Sequence, residues 1–131
     1  MPSVFTQIIL GEIPCYKIAE DDHCLAFLDI MPLQKGHTIV VPKVEVDSLF
    51  DLSSEEYQQL MFFAKKVAEQ LKRKISCRKI GMAVIGLEVP HAHIHLIPIN
   101  SMDDMNFSNE KQHLASEEMR DLQERLAFEL G

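Results

Sequence analysis

The sequence has few cations, few cysteines and no long hydrophobic run, and each shortage argues against a class of protein. Thirteen lysines and arginines against twenty aspartates and glutamates give a net charge of −7, which disfavours a nucleic-acid-binding protein held by phosphate contacts. The cysteines (Cys15, Cys24 and Cys77) form no CxxC pair, so we expect free thiols in a reducing compartment. No apolar run approaches the roughly 18 residues that span a membrane, and the first residues lack the basic region of a signal peptide. We therefore expect a cytoplasmic protein that binds neither nucleic acid nor membrane.

The elements that the pattern predicts belong to one α+β domain. The chain has 131 residues, of which 47% are hydrophobic and 25% are charged, values typical of a protein with a single globular core. The predicted order is a short helix, three strands, a long helix, two strands and a closing helix, which favours a mostly antiparallel five-stranded sheet. The predicted helices cover 3–12, 54–74 and 117–130, and the predicted strands cover 15–21, 23–30, 36–43, 77–86 and 91–99.

The long helix has the clearest start and the clearest buried stripe. Ser53 and Glu56 have the spacing of a capping box, so we expect the helix to begin just after Ser53. Apolar residues then recur at helical spacing and should face the core: Leu60, Phe63, Ala64, Val67 and Leu71. Ser116 is the predicted cap of the closing helix, whose apolar stripe contains Met119, Leu122, Leu126 and Leu130.

Three histidines alternate in the stretch VPHAHIHLIP, at His91, His93 and His95. Side chains alternate between the two faces of a strand, so the three imidazoles should share one face, open to solvent or to a ligand. This face is interpreted in three ways: a plain polar surface, a metal site, or nucleophilic catalysis by one imidazole with its neighbours binding an anion. Three such positions span about 13 Å along a strand, which counts against all three binding one metal ion.

The motifs around these histidines resemble those of the histidine triad (HIT) family. HAHIHLI fits the family signature of three histidines separated by apolar residues, and IILGEIP, AFLDIMP and GHTIVVPK match the N-terminal half of its domain in order and spacing. The resemblance runs from about residue 5 to about residue 98 and is greatest to the compact Hint-type branch. It implies a five-stranded antiparallel sheet with one long central helix, a homodimer, and binding of purine nucleotides. We expect a HIT domain over 1–107 and a C-terminal helical extension over 108–131.

The resemblance also assigns catalytic roles to four histidines. The middle histidine of the signature, His93, is implied to attack the α-phosphorus and to form a covalent nucleotidyl intermediate. A main-chain carbonyl near His91 is implied to fix the tautomer of the nucleophile. His95 is expected beside the phosphate as a cation or hydrogen-bond donor, and His37 matches a fourth family histidine close to the triad.

Recognition of the nucleoside is expected from the AFLDI segment. By resemblance, the Asp29 carboxylate accepts hydrogen bonds from the ribose hydroxyls. Phe27, Leu28 and Ile30 are expected to wall the base, although each of them also fits a simple core position.

Two departures from the family pattern affect this expectation. The loop before the triad is short, and Leu87 and Glu88 stand where Gln and Ser or Thr are expected, which leaves the backbone N–H groups of Glu88 and Val89 for the phosphate. Many members also carry an N-terminal CxxC that helps to bind structural zinc, whereas this chain has Ser3 and Thr6 there. We therefore expect no metal, and no cofactor is implied.

The resulting hypothesis is a nucleotidyl hydrolase or transferase that cleaves a nucleoside phosphoramidate or a dinucleoside polyphosphate at the α-phosphate. The alternative is a non-catalytic purine nucleotide-binding protein with an altered phosphate loop, and a metal-dependent enzyme is a third possibility. Met61 and Phe62 lie off the buried stripe of the long helix, as expected for the contact surface of a dimer.

Overall fold

A five-stranded antiparallel sheet forms the centre of the computed structural model, which describes residues 2–130. The strands lie in the order β1-β2-β3-β5-β4, and every neighbouring pair is antiparallel. They are β1 (Lys17–Glu20), β2 (Cys24–Leu28), β3 (Thr38–Pro42), β4 (Lys79–Ala83) and β5 (Ile94–Ile99), and the α-helices are α1 (Val4–Ile9), α2 (Ser54–Lys74) and α3 (Ser116–Leu126). The predicted α+β class and order of elements are confirmed. Short 3-10 turns at Leu49–Asp51 and Met102–Met105 were not predicted.

Helix α2 covers one face of the sheet and begins with the predicted capping box. The Ser53 hydroxyl accepts a hydrogen bond from the Glu56 N–H at 3.1 Å, and the Glu56 carboxylate accepts one from the Ser53 N–H at 2.9 Å. All five residues of the predicted stripe are buried. They pack in one core with alternate residues of three strands: Cys24, Ala26, Leu28, Val40, Ile94 and Leu96.

Helix α1 covers part of the opposite face. The residues of β2 and β3 that point away from α2 pack against Phe5 in a second, smaller apolar cluster, which contains Leu25, Phe27, Ile39 and Val41. Every residue of β2 and β3 is therefore buried. Because both faces of β2 and β3 are packed against helices, these strands hold the side chains at their ends in fixed positions.

The C-terminal segment packs on the core, with boundaries that differ from the prediction. Ala115, not Ser116, is the N-cap of α3, and Ser116 is the first helical residue, so the predicted serine cap is wrong. The helix ends at Leu126, and Leu130 packs against the core outside it. The predicted division of the chain after residue 107 stays a prediction. Within the described part of the chain, none of the helices could span a membrane.

The histidine segment joins the sheet later than predicted, because β5 begins at Ile94. Before that point the backbone makes other hydrogen bonds: His91 N–H donates to the Val89 carbonyl at 2.8 Å, and Ala92 N–H donates to the Val46 carbonyl at 2.6 Å. The first two histidines therefore lie in an extended approach to the strand, and His95 alone lies in the ladder, opposite Ile39 and Ala83.

Candidate active site

A cavity of about 530 Å³ opens on the α1 face of the sheet, beside the histidines. This volume lies within the usual range for small-molecule sites. Its walls come from α1, from the segment between β2 and β3, from β3, from the loop and strand that carry the histidines, and from the connector after β5. They include Phe5, Asp29, Ile30, His37, Ile39, Glu88, Val89, His93, His95, Phe107 and Lys111.

His93 is held in one tautomer by the main chain. Its Nδ1 lies 2.8 Å from the carbonyl oxygen of His91. Because a carbonyl oxygen only accepts hydrogen bonds, we assign the ring proton to Nδ1, which leaves a lone pair on Nε2. The ring packs edge-on between Phe5 and His95, each with its centroid at 4.9 Å. The contact between a main-chain carbonyl at His91 and the middle histidine, expected from the resemblance, is present.

The expectation that the histidine face is open to solvent or to a ligand is wrong for His91, whereas His93 and His95 line the cavity. His91 is fully buried and His93 is 6% exposed, because α1 and the residue before it lie over them. The His91 ring is bound at both nitrogens: Nε2 donates to the Pro42 carbonyl at 2.8 Å, and Nδ1 lies 2.8 Å from the Ser3 hydroxyl. Burial lowers the pKa of His91, with smaller opposing effects from Pro42 and Glu45.

His37 and His95 form a directed pair. The Leu33 N–H donates to His37 Nδ1 at 3.1 Å, so the proton of a neutral His37 is on Nε2 and points at His95 Nδ1, 2.9 Å away. A neutral His95 then carries its proton on Nε2, which is left as a hydrogen-bond donor.

Burial keeps both members of this pair uncharged near neutral pH. Desolvation, and then the charge of His95, lower the pKa of His37 to about 3. Desolvation, and then the charge of His93, lower the pKa of His95 to about 4. Of the two forms expected for His95, the structure favours the neutral donor.

Asp29 directly follows β2; one of its carboxylate oxygens accepts a hydrogen bond, and the other faces the pair of His37 and His95. Its Oδ1 accepts the Met31 N–H at 2.8 Å, and its own N–H donates to the His37 carbonyl at 2.9 Å. Oδ2 is 3.7 Å from His37 Nε2, which is not an ion pair because His37 is neutral. Burial raises the pKa of Asp29, whereas the Met31 N–H and the charge of Lys111 act in the opposite direction.

The structure separates the three residues expected to wall the base. Ile30 lines the cavity. Phe27 does not line the cavity but packs edge-on against Phe5, which does, with ring centroids 5.6 Å apart. Leu28 points to the other face of the sheet and is buried in the core against α2, so its assignment to the nucleotide site is wrong. Glu88 and Val89 line the cavity, and the contact expected between their backbone N–H groups and a phosphate stays a prediction.

Three residues with aromatic or charged side chains line the cavity but were not predicted from the sequence: Phe5, Phe107 and Lys111. Phe5 covers His93, and the Phe107 ring lies 5.0 Å from the His95 ring. Lys111 donates to the carbonyls of Phe107 and Asn109 at 2.7 and 3.2 Å, and among the described residues it is the one lysine or arginine that lines this cavity. The one feature of the sequence that could have indicated them is Phe107, an isolated aromatic residue in the polar connector after β5.

The geometry does not support a metal site made by the three alternating histidines. In the part of the chain described, the one set of three side chains close enough to share an ion is Asp29, His37 and His95, with ligand atoms within 4.8 Å of one another. His91 is outside this set, and both its ring nitrogens already have partners. The facing nitrogens of His37 and His95 are bonded to each other, so an ion would have to displace that contact.

The chain is similar in sequence and in structure to known proteins. A family model described as "HIT domain" matches residues 10–102. An uncharacterized HIT-like protein from Borreliella burgdorferi is 35% identical over 97% of each chain. An adenosine 5'-monophosphoramidase from Schizosaccharomyces pombe is 35% identical over 75% of this chain and 74% of its own. The crystal structure of a Hit-like protein involved in cell-cycle regulation from Bartonella henselae superposes with a TM-score of 0.81 at 26% identity, over 95% of this chain and 93% of that one.

The buried histidines predict a loss of stability in mild acid. In the unfolded chain a histidine binds a proton near pH 6.5, whereas the pKa of His95 is about 4 and that of His37 about 3 in the folded chain. Below pH 6.5 the unfolded state therefore binds more protons, and the free energy of unfolding should fall as the pH decreases toward 4. Urea denaturation between pH 7 and pH 5, above the range in which most carboxylates titrate, measures this slope.

Ring resonances of the two histidines provide an independent check of the same assignment. In NMR spectra recorded from pH 8 to pH 5, the ring carbons of His37 and His95 should keep the shifts of neutral imidazole. A His95 ring that becomes protonated near pH 6.5 would contradict the buried, uncharged pair.

Proposed function

Because this chain belongs to the histidine triad family, we propose that it is a nucleotidyl hydrolase or transferase that cleaves purine nucleotides at the α-phosphate. The coarse assignment to hydrolases is supported by the relative named as an adenosine 5'-monophosphoramidase. The specific proposal is a nucleoside phosphoramidate or dinucleoside polyphosphate substrate and a covalent nucleotidyl-histidine intermediate on His93.

The 2.8 Å contact between His93 Nδ1 and the His91 carbonyl oxygen is the single observation that carries this proposal. With the proton on Nδ1 held by the His91 carbonyl, the Nε2 lone pair can attack the α-phosphorus in line. The bond from phosphorus to the leaving group breaks, and the leaving group departs with the bonding electron pair and is protonated by solvent. Water then cleaves the P–N bond, which releases the nucleoside monophosphate and restores the imidazole.

Two groups on the cavity wall are suited to the negative oxygens of the phosphate. The Nε2–H of neutral His95 is the free donor at the end of the chain of hydrogen bonds through His37. The Lys111 ammonium uses two N–H groups for main-chain carbonyls and has a third available, since an ammonium has three donors. Together they supply hydrogen bonds and charge for the transition state of phosphoryl transfer.

The alternative is a nucleotide-binding protein without turnover, and one observation favours it. Glu88 lines the same cavity as His93 and His95, and its carboxylate would repel the oxygens of a phosphate bound beside it. A protein that binds AMP but releases none from adenosine phosphoramidate, a lysyl adenylate or diadenosine tetraphosphate would favour this alternative. The cytoplasmic location expected from the sequence stays a prediction.

Substitution of His93 tests the catalytic proposal. His93→Ala should abolish AMP release while largely keeping AMP binding, because the other cavity walls remain. His95→Ala should retain slow turnover, reduced by roughly 10²–10³-fold, the scale for losing one donor to the transition state. Rapid-quench kinetics and calorimetric AMP binding measure the two effects, and His113→Ala, an exposed histidine outside the cavity, is the matched control.

The covalent intermediate can be observed directly. Wild-type protein denatured during turnover without acid should carry AMP on the peptide with residues 91–95, stable to base and labile to acid like other phosphoramidates. Wild-type turnover by His93→Ala would refute the assignment of the nucleophile.

Asp29 is proposed to bind the ribose hydroxyls through Oδ2. Asp29→Ala should weaken AMP binding by about 1.5–3 kcal/mol, the scale of a hydrogen bond to a charged group. Wild type should prefer AMP to 2′-deoxy-AMP, and the variant should lose most of that preference in competition binding. Equal affinity of the wild-type protein for the two nucleotides would remove Asp29 from the ribose site.

A homodimer is proposed through the surface that α2 and β4 present beside the sheet edge. Tyr57, Met61, Phe62 and Met82 line an open apolar groove there, and β4 is an edge strand of the sheet. An exposed apolar patch next to an edge strand is typical of a protein interface.

Light scattering at micromolar concentration tests the dimer. Wild type should have twice the 15.0 kDa mass of one chain, and Phe62→Glu should reduce it to a monomer by placing a charge in the interface. Phe50→Glu is the matched control, since Phe50 is also highly exposed (83%) and lies outside this groove. A monomeric wild type, or equal effects of both variants, would count against the proposal.

A further inference from the structure

A cluster of four polar side chains lies behind the nucleophile, on the side of His91 that faces α1. Ser3 Oγ is 2.8 Å and Thr6 Oγ1 is 3.4 Å from His91 Nδ1. The Glu45 carboxylate accepts the Thr6 hydroxyl at 2.6 Å and the Ser3 N–H at 2.7 Å. The cluster joins three separate parts of the chain: α1 with its N-cap, the segment after β3, and the approach to β5.

The direction of each hydroxyl proton in this cluster follows from its partners, and of the two acceptors near the Ser3 hydroxyl, His91 Nδ1 at 2.8 Å is closer than Thr6 Oγ1 at 3.3 Å. A carboxylate only accepts, so the Thr6 hydroxyl donates to Glu45. His91 Nε2 donates to the Pro42 carbonyl, so Nδ1 of the neutral ring must accept, and the Ser3 hydroxyl is its close donor. The Ser3 oxygen in turn accepts the Thr6 N–H at 3.0 Å.

The cluster acts on the nucleophile through the main chain of His91. The His91 ring is bound at both nitrogens, and its carbonyl oxygen is the acceptor that holds the His93 Nδ1 proton. A rotation of the His91 ring or a shift of α1 would move that carbonyl relative to His93. The hydrogen bonds of Ser3, Thr6 and Glu45 therefore hold the same residue whose carbonyl oxygen fixes the tautomer of His93.

The same positions do not suit the structural zinc that the family resemblance implies for many members. Zinc prefers thiolate, imidazole and carboxylate ligands, whereas Ser3 and Thr6 offer neutral hydroxyl groups. Both hydroxyl protons are already donated, one to His91 and one to Glu45. The donor set fits a closed network of hydrogen bonds better than a metal centre.

We infer that Ser3, Thr6 and Glu45 form a metal-independent device that positions His91 and thereby holds His93 in its nucleophilic tautomer. Its catalytic consequence rests on the proposed function, whereas its effect on the two rings does not. Ser3, Thr6 and Glu45 are positioning residues, since none of them lines the cavity.

The test combines nitrogen NMR of the histidine rings with steady-state kinetics. Ser3→Ala and Thr6→Val remove the hydroxyl groups at little cost in volume. In both variants, the His91 and His93 ring nitrogens should move away from the wild-type shifts, which should report His91 protonated at Nε2 and His93 at Nδ1. For AMP release from adenosine phosphoramidate, kcat should fall roughly 10- to 100-fold, the scale of a small misplacement of a reacting group. KM and AMP affinity should change by less than about twofold, because the cavity walls are intact.

Conservative and surface variants separate positioning from folding. Ser3→Thr and Thr6→Ser keep the hydroxyl and should restore both the ring shifts and kcat. Glu45→Ala changes an exposed residue, so the fold should survive, and freeing the Thr6 hydroxyl should still perturb His91. Glu12→Ala, another exposed glutamate near α1, is the matched control and should have wild-type spectra and rates.

Two results would overturn the inference. One is unchanged His91 and His93 ring shifts in folded Ser3→Ala, Thr6→Val and Glu45→Ala. The other is one zinc ion per purified wild-type chain whose removal by a chelator, and return as zinc chloride, shifts the His91 ring nitrogens. If wild type hydrolyses none of the candidate substrates, the proposed function fails, and the ring shifts still decide whether the cluster positions the two histidines.

Discussion

The chemistry proposed for this protein depends on one contact, the hydrogen bond from His93 Nδ1 to the His91 carbonyl. It joins two residues that are two positions apart, yet its 2.8 Å length requires an ordered main chain on both sides of the approach to β5. That order comes from the Pro42 carbonyl at the end of β3 and from the hydroxyl group at the start of α1. The orientation of one ring proton is thus a product of the tertiary structure, not of the local sequence.

Burial has a second consequence, which is electrostatic. Imidazoles removed from water favour the neutral form, and a neutral imidazole is both a donor and an acceptor. His37 and His95 therefore form an ordered donor chain that starts at a backbone N–H, with no charged member. The positive charge at the cavity comes instead from Lys111, and the negative charge from Asp29 and Glu88. Charge and neutral hydrogen-bond donation are thus provided by different side chains of the cavity.

The order of elements, the capping box at Ser53 and the buried stripe of α2 could be predicted from the sequence because they depend on local spacing. The grouping of Asp29 and His37 with the triad came from the family motifs. Strand alternation alone already excludes Leu28 from a wall shared with Phe27, so that error was avoidable. The burial of His91 was not predictable locally, because its cover is Ser3, 88 residues away in the chain. Phe107 and Lys111 lie in a polar connector without periodicity, where no local rule indicates which side chain turns inward.

The connector between β5 and α3 provides part of the cavity wall without belonging to the sheet. Phe107 and Lys111 lie beyond residue 102, where the family match ends. The histidines are fixed by the sheet and α1, whereas this wall is carried by a short segment held mainly by its own turns. Residues in such a segment can differ between homologous proteins without moving the histidines. Under the proposed function, divergence of this segment can change the preference for the leaving group while His93 and its hydrogen-bond partners stay the same.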